Sequence, residues 1–319
     1  MSIKFTILGC GSSLGIPRID GYFGKCNPKN TKNYRTRCSA LISSNNFNFL
    51  IDTSPDIKNQ MLNNKVKNID KVFFTHSHAD QTHGINELRV FYLINKKKIP
   101  VFADINTKKY LKKSFEYCFK NSGNYPAILK MNNLKKKHSY IDGKDKISIK
   151  TIKAQHGLIK SICYIINNNC AYAPDVSKIY SKDIKYFKNL KYLVIDCLRY
   201  SPHPSHFNLN DVLNFIKTTK PKKTIITNLN NEIDYSDIKK FCEVNFNINF
   251  PLSTITKVKG NNAHEIFKWA KENHGKKAVP KWNFHKILIN KEGKIEDTFS
   301  SLTRPNSNKI INKIEKMLK

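Results

Sequence analysis

Residues 3–8, Ile-Lys-Phe-Thr-Ile-Leu, alternate apolar and polar side chains, the period of two that a half-buried strand requires. Residues 39–43 and 48–51 predict two more short strands. Between them and the first lies a loop, residues 9–38, rich in glycine, proline and asparagine. So long a loop inside a compact domain usually carries function. The run Lys71-Val-Phe-Phe, bounded by turn formers, predicts a buried strand. Residues 84–95 predict an amphipathic helix with Ile85, Leu88, Phe91 and Tyr92 on its core face. A shorter helix reaches Asn63, with Thr53 or Ser54 as its N-cap and Pro55 in its first turn. Asp52, at the end of the preceding strand, serves either that turn or the orientation of a neighbouring imidazole.

Further along, strands are expected at 99–102, 146–153, 192–196 and 224–227, a hairpin at 162–166 and 169–172, and helices at 107–121 and 210–217. The lysine-rich stretch after 121 reads as loops up to 145. From about residue 238 the pattern changes to a helix, a hairpin turning at Lys291-Glu-Gly-Lys294, and a closing amphipathic helix from Asn306.

Composition sharpens this. Of 319 residues 39% are hydrophobic, enough for a sizeable core, and no apolar run approaches the ~20 residues of a membrane span. The start has too short an apolar run for a secretory signal and turns at once into glycine and serine, so a cytoplasmic location is expected. The eight cysteines include no Cys-x-x-Cys pair, which predicts reduced thiols. The formal net charge of +32 would suit nucleic acid. Lysine, asparagine and isoleucine are all overused, however, and no nucleic-acid recognition motif accompanies them. A solvated lysine surface is therefore favoured, with no membrane partner. Only six of the 56 cationic residues are arginine. Arg18, Arg35, Arg37 and Arg199 fall in motif-like segments, where a planar fork grips phosphate as lysine cannot.

The chemistry concentrates at Thr75-His76-Ser77-His78-Ala79-Asp80-Gln81-Thr82-His83-Gly84. In extended backbone His76 and His78 point to one side, with the Asp80 carboxylate two residues on. Imidazole nitrogen and carboxylate oxygen suit zinc, and ligands at a strand's mouth leave the ion open to water.

This run resembles the His-x-His-x-Asp-His signature of the metallo-β-lactamase-fold hydrolases, matched by His76, His78 and Asp80. Gly9-Cys-Gly-Ser-Ser13 and the segments Cys26 to Asn30 and Arg35 to Ser39 look like the opening of the branch that contains the phosphoribosyl 1,2-cyclic phosphate phosphodiesterases. The resemblance implies an α+β, four-layer αβ/βα sandwich over residues 1–235. It implies that His156, followed by Gly157, is the third imidazole of a first site, and that Asp175 is its bridging carboxylate. It also implies that His206, with His203 as second choice, donates the proton to the leaving oxygen, and that Asp80 belongs to the catalytic group as well as the metal set. Arg35, Arg37 and Arg199 would hold the substrate phosphate. The sequence departs from the signature at Gln81, where the family has a second-metal histidine, and at residues 228–231, where a late histidine is replaced by Asn-Leu-Asn-Asn. Amide oxygens bind hard cations, so Gln81, His83, Asn228 and Asn230 are left to a weak second site beside Asp80. One tight Zn2+ is expected, with Mn2+ an alternative, and a second ion weak or absent.

Phe241 to Phe246, Phe250-Pro-Leu, Gly260 to Trp269, Lys281 to Gly293 and Phe299 to Pro305 together resemble the second half of the glutathione peroxidases. Residues 238–319 would then be a partial thioredoxin-like ββα piece. Trp282 and Asn283 correspond to two members of the peroxidase catalytic group. That family's thiolate and glutamine belong to the first half of its fold, and Cys242 stands in the wrong segment, so peroxidase activity is not expected. The chain looks like a fusion, and the implied activity is metal-dependent hydrolysis of a small phosphodiester, cyclic ones included. The rival readings are a thiol peroxidase-related protein and a catalytically weakened metal-binding remnant.

Overall fold

The computed structural model describes residues 3–142, 145–239, 263, 265–280, 285–300 and 302–318. The chain divides into two compact units, Met1–Phe241 and Cys242–Lys319.

The first unit is built on two six-stranded sheets. One takes β1 (Lys4–Gly9), β2 (Ser39–Ser43), β3 (Asn48–Ile51), β4 (Lys71–Phe73), β5 (Ile99–Ala103) and β6 (Leu129–Asn133) in sequence order. The other takes β7 (Lys137–Asp142), β8 (Asp145–His156), β9 (Ile159–Ile166), β10 (Cys170–Ala173), β11 (Tyr192–Asp196) and β12 (Lys223–Thr227). Strand alternation decides which side chains face which layer. Ala40, Ile42, Phe49, Ile51 and Phe73 point inward and pack with Ile147, Ile149, Ile162, Tyr164 and Tyr172 of the other sheet. The intervening Leu41, Leu50 and Val72 point outward to Ile57, Met61, Leu88 and Phe91 of the covering helices. Burying a large aliphatic or aromatic side chain contributes roughly 1.5–3 kcal/mol, so this double-sided core holds the layers together.

The described helices of this unit include α1 (Ile57–Asn63), α2 (Ala79–Thr82), α3 (Arg89–Asn95), α4 (Ile105–Ser114), α5 (Glu116–Phe119) and α6 (Leu209–Thr219). α1 begins later than its sequence suggests. Asp56 is its N-cap and makes no side-chain cap bond, while Ser54 Oγ accepts the Asp56 N–H at 3.2 Å and forms the turn before it. The helix expected over 107–121 is broken at Phe115, whose φ of −129° and ψ of 41° leave the helical region. The stretch expected as one helix from 84 to 95 is a 3-10 turn, Ile85–Leu88, followed by α3. β6 and β7, read as loops, are strands, each at the edge of its sheet. α6 is fixed by a full capping box, with Asn208 accepting from Asn210 and Asp211 backbone N–H groups and Asp211 reaching back.

The strand ends gather at one rim. Asp52 follows β3, His76 and His78 follow β4, His156 ends β8, Asp175 follows β10, and Asp196 ends β11 with Asn228 just past β12. The loop over residues 9–38 is tied to the same rim by backbone bonds from Ser12 N–H to the Leu229 carbonyl and from Leu229 N–H to the Cys10 carbonyl.

The second unit contains α7 (Glu265–His274), the antiparallel hairpin β13 (Lys286–Ile289) and β14 (Ile295–Phe299), and α8 (Asn308–Leu318). Its hairpin turns where the sequence places it, with Gly293 at φ +76°. Trp282, Asn283 and Cys242 lie outside the described residues.

Candidate metal centre

Three imidazoles from two distant segments converge. The donor nitrogens of His76, His78 and His156 all lie within 4.8 Å of one another. His78 Nδ1 is 3.0 Å from His76 Nε2 and 3.2 Å from His156 Nε2. A second cluster with donor atoms as close, His156, Asp175 and His206, shares His156 with the first.

Neighbours hold each ring. Thr75 donates to Asp52 through its backbone N–H at 2.7 Å and through its hydroxyl at 2.9 Å. With its hydrogen so committed, Thr75 Oγ1, 3.0 Å from His76 Nδ1, accepts from that ring. His156 Nδ1 is 2.7 Å from the Ser205 carbonyl, which can only accept. Both rings therefore carry their proton on Nδ1 and turn an Nε2 lone pair toward His78. Asp52 is fully buried and adopts φ +62°, a left-handed conformation that aspartate tolerates better than most residues. Its role is to orient the loop of ligands.

The electrostatics suit a cation. Burial, and then the charges of His156, His78 and His206, hold the His76 ring well below the usual imidazole range. Burial and the charge of His206 push His156 down to about 4. Both rings are therefore neutral near pH 7, the form that coordinates metal. Burial and the charges of Asp80, Asp196 and Asp52 push the Asp175 carboxyl well up, and burial also raises Asp80. Neutral imidazole lone pairs facing crowded carboxylates form a donor set that fits zinc or manganese.

These groups open into a cavity of about 400 Å³, lined also by Ser12, Ser13, Arg18, Arg199, His203 and Asn230. His206 lines it, with its Nδ1 2.7 Å from Asp196 Oδ2. Burial, opposed by the hydrogen bond and charge of His206, raises the Asp196 carboxyl to about 6. His203 Nδ1 accepts the backbone N–H of Ser205 at 3.2 Å, which places this second-choice residue in a supporting role to the loop that holds His156.

Several expectations need correction. Arg35 does not line the cavity: it is buried and donates to Asn33 Oδ1 and, at 3.5 Å, to the Asn230 carbonyl. Arg37 is spent on a two-pronged bond to Asp56 at 2.7 and 2.8 Å. Of the three arginines assigned to phosphate only Arg199 lines the cavity; Arg18 lines it too, but its guanidinium is bonded to both carboxylate oxygens of Asp20. His83 is not brought to the centre, because its ring bonds the Tyr110 hydroxyl at 3.0 Å and packs on Phe115. Asn230 reaches the cavity, yet its side-chain oxygen accepts the Glu232 N–H. Asp196 went unnoticed in the sequence. Its only signal is a carboxylate closing an apolar strand, the same signature that Asp52 carries.

The sequence profile of the β-lactamase superfamily domain matches residues 47–227, and the chain belongs to that superfamily. Over 231 residues it is 26% identical to an octanoyltransferase of Porphyromonas gingivalis, a match covering 71% of this chain and 46% of that protein. The C-terminal part is similar to a glutathione peroxidase-like peroxiredoxin of Saccharomyces cerevisiae, 36% identical over 87 residues, or 26% of this chain and 52% of that one. The chain thus spans about half the length of these curated relatives. Among solved structures, a diphosphatase of the PhnP family superposes with a TM-score of 0.66 at 26% identity, covering 75% of this chain and 91% of the other. The short form of human tRNase Z superposes at 0.53 and 15% identity, covering 71% and 92%, a likeness of fold alone.

Proposed function

We propose that residues 1–235 form a metal-dependent hydrolase of a small phosphodiester, and that residues 238–319 are an appended peroxidase-like piece without peroxidase activity. The observation that carries this reading is the cluster of His76, His78 and His156, joined through His156 to a second cluster with Asp175 and His206, beside a cavity that His78, His156, Asp175, Arg199 and His206 line. A divalent ion held by His76, His78, His156 and Asp175 would polarise a phosphoryl oxygen and lower the pKa of a water toward ~7. The likeness to a PhnP-family diphosphatase, which spans most of that protein, supports a phosphate-containing substrate. The cavity's volume suits a small molecule better than a polynucleotide.

The chain's own residues supply the rest. Arg199 is anchored by the carbonyls of Ser201 and Pro202, and its guanidinium offsets charge on the equatorial phosphoryl oxygens. His206 is pinned at Nδ1 by Asp196. That leaves Nε2 as the nitrogen that delivers a proton to the departing oxygen. Asp80, on the cavity wall, orients the attacking water. No described helix is long and apolar enough to cross a membrane, and none of the described cysteines forms a disulfide. A reducing compartment, the cytoplasm, is part of the same reading.

The test is a panel of bis(p-nitrophenyl) phosphate, cyclic nucleotides and cyclic sugar phosphates with zinc- or manganese-loaded protein. Turnover that is abolished by a chelator and reduced by about 10²-fold in His206→Ala is expected. Equal rates in wild type and His206→Ala would contradict the assignment of the proton donor. No metal-dependent turnover of any phosphodiester would contradict the function.

A further inference from the structure

Position 81 departs from the family's signature, and the structure shows what stands there in place of an imidazole. The Gln81 side chain is fully buried. Its Nε2 donates to Asp80 Oδ2 at 3.2 Å and to Asp175 Oδ2 at 3.1 Å. Its Oε1 is buried with no hydrogen-bond partner. With this amide orientation the nitrogen faces both acids, and it is the orientation that suits them when they are ionised, as a bound cation would hold them.

Asn228 repeats the arrangement on the other side. It is 1% exposed, and its backbone sits at φ +61°. Its Nδ2, with two hydrogens to give, lies 3.1 Å from Asp175 Oδ1, 3.2 Å from Asp196 Oδ1, 3.0 Å from the Pro174 carbonyl and 3.2 Å from His206 Nδ1. Asp175 is thus bracketed, with one amide on each carboxylate oxygen. An amide nitrogen has no lone pair to give a metal, but its hydrogens present partial positive charge to an anion. Between Asp80, Asp175 and Asp196, two such groups do what a second cation would do. A carboxylate oxygen has two lone pairs, so Asp175 can accept an amide hydrogen and still coordinate an ion on the side of His156.

We propose that this centre is mononuclear by construction. Gln81 and Asn228 occupy the ground of a second ion with hydrogen-bond donors, and the chain binds a single divalent cation at His76, His78, His156 and Asp175. This rests on the metal reading above and deepens it. The orphaned Gln81 Oε1 is the mark of the substitution: the side chain keeps an unpaired acceptor so that its nitrogen can join two acids.

The test counts ions in the absence of substrate, so that it stands apart from turnover. Full-length protein is stripped with chelator and reloaded with excess zinc or manganese. Free ion is removed, and bound metal per chain is measured by mass spectrometry beside a calorimetric titration. Wild type should hold one ion per chain. Gln81→His restores an imidazole, and the isosteric Gln81→Glu exchanges donor for acceptor. Each should raise the count to two, the second ion appearing as a separate titration step. Two ions of comparable affinity in wild type would overturn the proposal, as would one ion in both variants. Should neither variant fold, the wild-type count still decides. No ion at all would overturn the metal reading and this inference together.

Discussion

In the proposed hydrolase, His206 and Asp196 are the pair on which proton transfer would depend. The Nδ1–Oδ2 contact of 2.7 Å fixes both the ring's orientation and its tautomer. Asp196→Asn should leave metal content unchanged, lower kcat by about 10²-fold and move the acid-side limb of the pH–rate profile. A change in stability alone, with the profile intact, would reduce Asp196 to a structural role. The arginines separate in the same way. Arg199→Ala should raise KM about tenfold, the loss of one charge-assisted contact. Arg37→Ala should leave KM as it is and reduce stability by about 1–2 kcal/mol, since its partner is Asp56. Burial pushes the Asp56 carboxyl up, but the hydrogen bonds and charge of Arg37 outweigh it and hold the group below the ordinary carboxylate range. A depressed folded value means that this stability is fully present above about pH 4. It is lost as pH falls through the lower folded value. Urea unfolding at pH 7 and across that acid window, with KM measured alongside, checks both claims. The sequence could not separate Arg37 from Arg199, because nothing in a row of residues tells which guanidinium meets a carboxylate from another element.

At the scale of elements, the site is a property of strand ends. β4, β8, β10 and β11 each finish at a ligand or its partner, and the short connections that follow are rigid for identifiable reasons. Gly157, directly after His156, has φ +56°, and a Cβ there would meet the side chain of Ser205, the residue whose carbonyl holds His156 Nδ1. Gly157→Ala should therefore cost about 1–3 kcal/mol in backbone strain and also weaken metal binding, because relief of the clash moves Ser205 and frees the ring. Thermal unfolding with and without zinc checks this: a variant destabilised without metal but retaining the full zinc-induced shift would contradict the coupling. The central strands were legible because both alternation and apolar runs betray them. β6 and β7 were not, since edge strands face water along one side and carry polar sequences such as Lys-Met-Asn-Asn. The helix break at Phe115 was hidden for a related reason. Helical periodicity continues through it, and only tertiary packing of Cys118 and Phe119 splits the run.

For the molecule as a whole, the fold is set by a core packed on both faces of one sheet, and the site by the loops of both sheets meeting at one rim. His76 and His78 stood out in the chain by their spacing after a strand, and His156 and Asp175 only through the family resemblance; the structure brings His156 to the first two and Asp175 to His156. What the sequence withheld was the answer of the surroundings: the amide donors on Asp175, the carboxylate behind His206, and the diversion of His83 to Tyr110. The net charge of +32 gives the molecule a positive field that favours encounter with anions of any size. The cavity's size, not the charge, argues for a small one.

The direct measurement of the central claim is the zinc content of purified full-length protein beside His156→Ala, with circular dichroism to show that both are folded. The two segments that supply His76 and His156 lie far apart in the chain, so only their convergence lets one residue control what the other binds. Wild type should carry tightly bound zinc, and folded His156→Ala should lose most of it, since one of four ligands is gone. Undiminished zinc in the folded variant would contradict the account.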